Sequence, residues 1–473
     1  MDNKIRTDVC IIGGGIVGSF LASELAEKGL EVAVIEVPLN SVPVNIVSNG
    51  IKIDQSVNNY GLGGNESTWS QLTSFLNKDE WSFYKKKFNL RMSYSEFEEL
   101  AKKVQPYGFC DFKFLVQRPK IDPNSMVKLK KFVKRKSGYK YSHLLKNRKN
   151  IKIYYSKILN INEGNKTITI KTSKEKCKIY FDFLCLCSGG IGNYHLVKRF
   201  LPGFLIQNKR HKINLHVKDF IGIYSFKNKS LSMKLGWKRA NGVDYYFGIY
   251  KKPSEKDDFF SEDLYQFIPI RWYENVGFVR IKNVFWHKSL LETFNFLKEK
   301  IQSQGLVILF GANSTLFIKS LISSIPSILL HFLIKIFRID PTYNKFLLLY
   351  HASISSNIEY DELKNSVKIN STNPIIYKNT INKNLEELNV KCVKSFKNID
   401  LQDSNHFCSS TYENIAYPKK NRLDGQIDLN GFFFAAGTSS LPFASNTNPT
   451  FLSLCLAKKT VERICSDINK KKV

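Results

Sequence analysis

The first 36 residues carry a pattern of apolar runs and glycines that few folds can accommodate. A short apolar run, Val9–Ile12, leads directly into residues 13–18, GGGIVG, which fit the GxGxxG pattern. A stretch with helical periodicity follows over Ile16–Lys28, and a second apolar run covers Val32–Ile35. Because Gly29 stands where a helix C-cap is expected, the stretch between the two runs is predicted to be one complete helix. The pattern therefore predicts a β-α-β unit at the N terminus.

Each glycine of this turn has a separate task when such a unit binds a dinucleotide. Gly13 makes the tight turn, Gly15 lets the backbone approach a pyrophosphate, and Gly18 allows the helix to pack closely on the strand. The helix N terminus offers N–H groups and a positive dipole to phosphates. Glu36, 18 residues beyond Gly18, stands where an acid accepts hydrogen bonds from an adenosine ribose. The sequence predicts a Rossmann-type dinucleotide domain, and these residues alone leave FAD and NAD open.

A second set of motifs lies near the C terminus. The apolar run at 432–436 enters a turn that begins at Gly437, and the sequence NPT (448–450) then precedes a helical run at 451–464. His406, in the sequence NHFCSST, lies about 25 residues before that apolar run. This arrangement resembles the C-terminal signature of the glucose–methanol–choline (GMC) oxidoreductases, in the branch with a GSSxxP…NPT pattern. The sequence from His406 onwards resembles the HxxGT element of the same family.

Two further glycine-containing segments agree with this resemblance. YGLGGNESTW (60–69) looks like the family's GxGGxSxxW loop, which passes along the flavin. CSGGIGN (187–193) is similar to the family's AAGGIEN segment. The four pieces occur in the family's order and cover roughly its flavin domain, whereas residues 216–397 are much less recognisable.

The resemblance implies that the protein binds FAD and oxidises a CH–OH group, with hydride passing to flavin N5. His406 would be the base that takes the hydroxyl proton, and Asn448 would be its partner, donating to the developing alkoxide. Because Thr68 stands where some relatives attach FAD to a histidine, we expect FAD to be bound noncovalently. The predicted cofactor-binding residues are Gly13, Gly15, Gly18, Glu36, Gly63, Gly64, Trp69, Gly189, Gly437, Pro449 and Thr450.

The sequence departs from the family after His406. The family's HxxGTxRM reads HFCSSTYE here, so that Ser409 replaces the glycine and the arginine is lost. Two alternatives to alcohol oxidation therefore stay open. One is a different flavin enzyme, either amine oxidase-like or a redox-neutral mutase, and the other is a degenerate FAD-binding protein that serves in a biosynthetic complex without catalysis. For the oxidation itself, the family suggests a sugar, a polyol or a glycan-precursor alcohol as substrate and leaves the electron acceptor open.

The predicted fold class is α/β, with a Rossmann-type FAD domain and a second, smaller sheet-containing substrate domain. The FAD domain is discontinuous and takes residues 1–75, 150–215 and 398–473. Residues 76–149 and 216–397 are assigned to the substrate domain and its cap, because the interior mixes aromatic alternating segments such as YYFGIY with basic loops.

The net charge of +30 raises the question of an anionic partner. The densest basic stretch, Arg118–Lys157, contains a single acid and no known nucleic-acid-binding signature, which favours a solvated basic surface and no nucleic acid. Residues 316–337 are strongly apolar, but Lys, Pro and His interrupt them, which argues against a transmembrane span. We expect a buried or substrate-lining helical pair there. The alternative is a helix in the membrane interface, giving a peripheral membrane contact.

Cysteines and histidines indicate neither disulfides nor a metal. The nine cysteines include no CxxC pair, and the histidines show no ligand spacing. The first apolar run breaks at once into glycines, so no signal peptide is expected. These observations favour a cytoplasmic protein, with membrane association as the alternative.

Overall fold

The fold is given by a computed structural model. It describes residues 3–38, 44–49, 61–67, 72–110, 114, 127–134, 139–146, 148–172, 175–226, 238–240, 243–251, 264–269, 345–371, 385–386, 390–395, 402–417, 420–443 and 449–472. The helices and strands, in chain order, are β1 (Asn3–Ile12), α1 (Ile16–Glu27), β2 (Val32–Glu36), β3 (Asn45–Asn49), β4 (Leu72–Thr73), α2 (Lys78–Lys87), α3 (Tyr94–Val104), β5 (Val127–Lys134), β6 (Ile151–Tyr155), β7 (Lys157–Asn162), β8 (Thr167–Lys171), β9 (Lys176–Leu186), α4 (Gly189–Phe200), β10 (Lys212–Phe226), β11 (Lys238–Ala240), β12 (Val243–Lys251), β13 (Leu264–Pro269), β14 (Lys345–Asp361), β15 (Ser366–Asn370), β16 (Val390–Ser395), β17 (Gln402–Cys408), α5 (Ser410–Asn414), β18 (Phe433–Ala435) and α6 (Pro449–Lys472).

Within the described part of the chain, the first sheet has seven strands in the order β6-β2-β1-β9-β8-β7, with β18 also paired to β9. Strands β6, β2, β1, β9 and β18 run parallel, and β7 and β8 extend the sheet antiparallel. The carboxyl ends of the parallel strands therefore meet at one edge, where nucleotides bind in open α/β sheets. The predicted α/β class and the N-terminal β-α-β unit are confirmed.

The first strand is longer than its apolar run. Strand β1 begins at Asn3 because its polar first half pairs in register with β9, from Asn3 opposite Cys177 to Thr7 opposite Phe181. The apolar residues mark only the part that is buried on both faces. Helix α1 ends at Glu27, one residue before the predicted end, and Gly29 has a φ of 81°, the left-handed conformation that glycine favours after a helix.

Alternate residues of the central strands face two separate cores. Val9 and Ile11 of β1 pack with helices α1 and α6 on one face of the sheet. Cys10 and Ile12 belong to the core on the other face, together with residues from the second half of α4. This period-two burial explains why β1 and β2 read as continuous apolar runs.

Helices α1 and α6 are joined by a buried ion pair as well as by apolar packing. The Lys458 ammonium of α6 contacts the Glu24 carboxylate of α1, and the Tyr107 hydroxyl donates to the same carboxylate. The Glu24 side chain is 5% exposed and that of Lys458 is 15% exposed, so each charge depends on the other for compensation. The long C-terminal helix is thereby fixed to the helix of the predicted nucleotide unit.

The second sheet, as far as the described residues show it, has eleven strands and lies against α4. Its main order is β16-β10-β14-β13-β12-β5-β4, with β17 on β10, β11 on β12, and β15 between β14 and β3. All pairings are antiparallel except that of β15 with β3. Ile191 and Tyr194 of α4 pack into the core of this sheet, whereas Leu196 and Val197 face the first sheet. Helix α4 therefore links the two sheets.

Several sequence predictions concern segments that are described in part or not at all. The apolar segment 316–337 lies outside the described residues, and no helix among the described residues is long and apolar enough to cross a membrane. Of the basic stretch Arg118–Lys157, the described part contains one buried lysine, Lys131, whose ammonium donates to the Phe114 carbonyl at 2.6 Å. The assigned domain boundaries remain a prediction; β3, β4 and β17 fall in the ranges assigned to the FAD domain but pair in the second sheet.

Candidate functional site

Close backbone packing requires glycine at two positions of the turn between β1 and α1. Gly13 has a φ of 101°, and a Cβ added there would lie 2.7 Å from the Cys187 carbonyl oxygen of the neighbouring strand end. A Cβ added at Gly18 would lie 1.9 Å from the Gly13 carbonyl oxygen. Both distances are shorter than any real Cβ contact, so only glycine lets the turn fold back against β9 and α1.

Gly15 differs from these two glycines because it faces open space. No heavy atom lies within 4 Å of a Cβ added there. Gly15 is the N-cap of α1 and gives the helix no side-chain cap, so the first N–H groups of the helix are not satisfied by a capping side chain. An open backbone at the positive end of a helix fits the pyrophosphate of a dinucleotide.

Glu36 closes the other side of this turn. Its carboxylate accepts hydrogen bonds from the Gly14 N–H at 2.5 Å and from the Val37 N–H at 2.8 Å. Burial raises the pKa of Glu36, and the N–H groups of Gly14, Val37 and Gly61 oppose that shift. The carboxylate therefore organises the turn, and its predicted contact with a ribose hydroxyl stays a prediction.

Ser156 is a further candidate for contact with a nucleotide, and no motif in the sequence indicates it. It follows β6 directly, so it lies beside Glu36 at the same sheet edge, and its N–H donates to the Glu36 carbonyl at 2.9 Å. Its hydroxyl is buried and has no partner among the described residues. Its position after the run IKIYY was the available signal, but that run does not reveal which strand it pairs with.

A second glycine loop lies along the first. The Gly63 N–H donates to the Gly14 carbonyl at 2.9 Å, and Gly63 forms a parallel bridge with Gly15. Gly63 and Gly64 both have positive φ, 90° and 51°. The Glu66 carboxylate holds the loop by accepting from the Tyr141 N–H. The loop and the glycine turn are thus in backbone contact, and the passage of the loop along a flavin stays a prediction. Thr68 and Trp69 lie outside the described residues.

Asn193 ties together the ends of β9 and β18. Its amide nitrogen donates to the Leu186 carbonyl at 2.9 Å and to the Ser439 hydroxyl at 2.7 Å, and its oxygen accepts from the Ser188 N–H at 2.7 Å. The side chain is fully buried. The turns that contain Gly189 and Gly437 are therefore held side by side at the carboxyl edge.

Gly189 and Gly437 have the backbone conformation expected of such turns. Their φ values are 75° and 93°, and no atom lies within 4 Å of a Cβ added at Gly189. A Cβ added at Gly437 would stand 3.8 Å from the Val17 side chain, in the first turn of α1. These two glycines and the Gly13–Gly18 turn thus lie at one edge of the sheet.

The segment that follows His406 reaches the same edge. His406 lies in β17, where the structure describes its backbone. The next residues pack on the other turns: the Ser409 N–H donates to the Thr438 carbonyl at 3.0 Å, and the Ser410 hydroxyl donates to the Gly190 carbonyl. Asn448 lies outside the described residues, and Pro449 and Thr450 begin α6.

The departure at Ser409 has a structural counterpart. Ser409 has a φ of 65°, in the left-handed region that glycine favours, and it stands where the resembling family has glycine. A glycine would adopt this backbone conformation without the strain that a side chain brings.

Comparison with known proteins adds information on the fold. No protein-family model and no curated protein sequence matches the chain significantly. Among solved structures, pyridoxine 4-oxidase from Mesorbium loti superposes with a TM-score of 0.53 at 11% identity, covering 96% of this chain and 98% of that one. The chain has the fold of that oxidase.

Formate oxidase structures are also similar, at lower scores. One has a TM-score of 0.48 at 11% identity and covers 99% of this chain and 100% of that one. A variant from Aspergillus oryzae RIB40, described for the effect of a mutation on FAD modification, has a TM-score of 0.47 at 12% identity and covers 98% and 99% of the two chains. At these identities the likeness concerns the fold, and membership of the GMC family remains a prediction.

Proposed function

We propose that the protein is an FAD-dependent oxidoreductase that oxidises a CH–OH group. The open backbone at Gly15 carries this proposal, because it combines an uncapped helix N terminus with a space that any side chain would fill. The fold supports it as well, since one solved structure that shares it is an oxidase by name. The Rossmann unit by itself would also suit NAD, and the second glycine loop beside it favours FAD.

The described residues divide the binding of FAD among them. Gly15 and the first turn of α1 would hold the pyrophosphate, and Glu36 with Ser156 would meet the adenosine half. The Gly63–Gly64 loop and the turns at Gly189 and Gly437 would line the remaining length. FAD, when bound, supplies the hydride acceptor for alcohol oxidation.

His406 and Asn448 are the residues that we assign to the chemistry. The neutral imidazole of His406 takes the hydroxyl proton of the substrate, and the Asn448 amide donates to the oxygen on which negative charge develops. The support is the sequence resemblance together with the backbone course after His406, which reaches the Gly437 turn. The substrate is proposed to be a sugar, a polyol or a glycan-precursor alcohol.

Anaerobic reduction of the protein-bound flavin by a panel of compounds tests this proposal. Alcohols or sugars should bleach the flavin absorbance, and amines should not. Bleaching by amines alone would indicate an amine oxidase-like enzyme. A bound flavin that no compound in the panel reduces would support the non-catalytic alternative.

Substitution of His406 tests the assigned base. His406→Ala should keep FAD bound and slow flavin reduction by roughly 10²–10⁴-fold, the range typical of general-base loss. In the wild type the rate should rise with pH, because only the neutral imidazole accepts a proton. His143→Ala is the matched control, since His143 is exposed in a short 3-10 helix, and it should leave the rate unchanged.

A further inference from the structure

Ser409 carries two unfavourable features at one buried position. Its φ of 65° lies in the left-handed region, which costs free energy for any residue with a Cβ. Its hydroxyl is completely buried and has no hydrogen-bond partner among the described residues. A glycine at this position would avoid both costs.

The hydroxyl is also not used in the way expected from its position. Ser409 is the N-cap of α5, where a serine side chain ordinarily accepts an N–H of the helix's first turn. Here the backbone of Ser409 is left-handed, and its side chain makes no capping hydrogen bond. The next residue shows the contrast, because the equally buried Ser410 hydroxyl donates to the Gly190 carbonyl.

The position of Ser409 connects it to the proposed nucleotide site. Its N–H donates to the carbonyl of Thr438, the residue after Gly437. Gly437 in turn faces Val17 in the first turn of α1, where the pyrophosphate is expected. Ser409 is therefore one hydrogen bond away from a turn that lines the middle of the proposed FAD site.

We propose that Ser409 is an FAD-binding residue of this protein, whose hydroxyl hydrogen-bonds to an oxygen of the ribityl–pyrophosphate chain. This inference rests on the proposed function, because it requires FAD at the carboxyl edge of the first sheet. The proposal explains why a serine stands at a position whose left-handed backbone favours glycine. Binding of FAD would satisfy the buried hydroxyl and offset the backbone strain.

Two substitutions separate the hydroxyl from the backbone. Ser409→Ala removes the hydroxyl and keeps the strain, and Ser409→Gly removes both. Thr411→Val is the first control, because the Thr411 hydroxyl is likewise buried without a partner among the described residues. Asn208→Gly is the second control, since Asn208 has a φ of 58° at an exposed site.

The measurement is the affinity of the FAD-free protein for FAD, by quenching of FAD fluorescence, together with the thermal midpoint with and without FAD. Both Ser409 variants should bind FAD about five- to tenfold more weakly, the value of one hydrogen bond, and the controls should stay within about twofold. Without FAD, Ser409→Gly should raise the midpoint by roughly 2 °C.

Three outcomes would overturn the inference. Affinities of both Ser409 variants within about twofold of the wild type would show that the hydroxyl does not contact FAD. An equal loss in Thr411→Val would point to general disturbance of α5. A wild-type protein that binds no FAD would overturn the inference before any variant is made, and that result would overturn the proposed function as well.

Discussion

Two regions of the molecule are held together in different ways. At the carboxyl edge of the first sheet, the decisive contacts are made by backbone atoms that approach one another across glycines, as at Gly13 and Gly18. Where the turn between β14 and β15 meets α4, they are made by side chains instead. A site built from backbone contacts restricts the residue type at each position, whereas a side-chain cluster can be built from many combinations. A site built from backbone contacts can therefore be predicted from a sequence, whereas a side-chain cluster cannot.

Asn365 is the centre of the side-chain cluster. Its amide oxygen accepts from His195 at 3.2 Å, from Arg199 at 3.3 Å and from the Tyr360 hydroxyl at 3.1 Å. Burial, and then the Arg199 guanidinium, lower the pKa of His195 to about 4, against the opposing effect of the hydrogen bond to Asn365. The imidazole is therefore neutral at pH 7 and donates through Nε2. This cluster fixes the turn between β14 and β15 to α4.

The glycine turn should respond in opposite ways to two similar substitutions. Gly18→Val should prevent stable folding, with a loss of more than about 4 kcal/mol, because its Cβ would meet the Gly13 carbonyl. Gly15→Val should fold, because its Cβ meets nothing, and yet lose flavin binding. Urea unfolding and the flavin content of the soluble protein check both variants. Equal loss of folding in the two variants would contradict the distinction between packing and binding glycines.

The side-chain cluster should affect stability without affecting the flavin. Asn365→Ala should cost about 2–3 kcal/mol, because three donors lose their acceptor and alanine is strained at the φ of 45°. Asn365→Gly should cost less, since glycine tolerates that backbone. Chemical unfolding gives the two losses, and FAD affinity should be unchanged in both variants. A large loss of FAD affinity would show that the two regions are coupled.

Glu36 should give a smaller effect, and one that depends on pH. Burial raises its pKa above the ordinary value of 4.5, so the folded FAD-free protein keeps this proton at a pH where the unfolded chain has lost it. The free energy of unfolding should therefore fall as the pH rises through the range just above 4.5. Glu36→Gln should remove that contribution and weaken FAD binding, which unfolding curves at several pH values and an FAD titration would show. An unchanged pH dependence in Glu36→Gln would argue against a raised pKa.

The comparison also explains which parts of the molecule could be predicted from sequence. The β-α-β unit, the turn glycines and the α/β class follow from apolar periodicity and from residue types that the backbone demands. The start of β1 at Asn3 could not be predicted, because it depends on pairing with a strand more than 170 residues later in the chain. The roles of Asn193 and Ser156 were missed for a similar reason, since each depends on partners brought in from other strands. The Ser409 substitution was visible in the sequence, but its left-handed backbone was not.

The flavin content of the purified protein tests the central claim most directly. The protein should be yellow, and denaturation should release intact FAD into the supernatant in an amount approaching one per chain, because Thr68 offers no histidine for attachment. Flavin that stays with the precipitated chain would contradict noncovalent binding. A colourless protein that does not take up added FAD, or one that binds NAD and no flavin, would contradict the account itself.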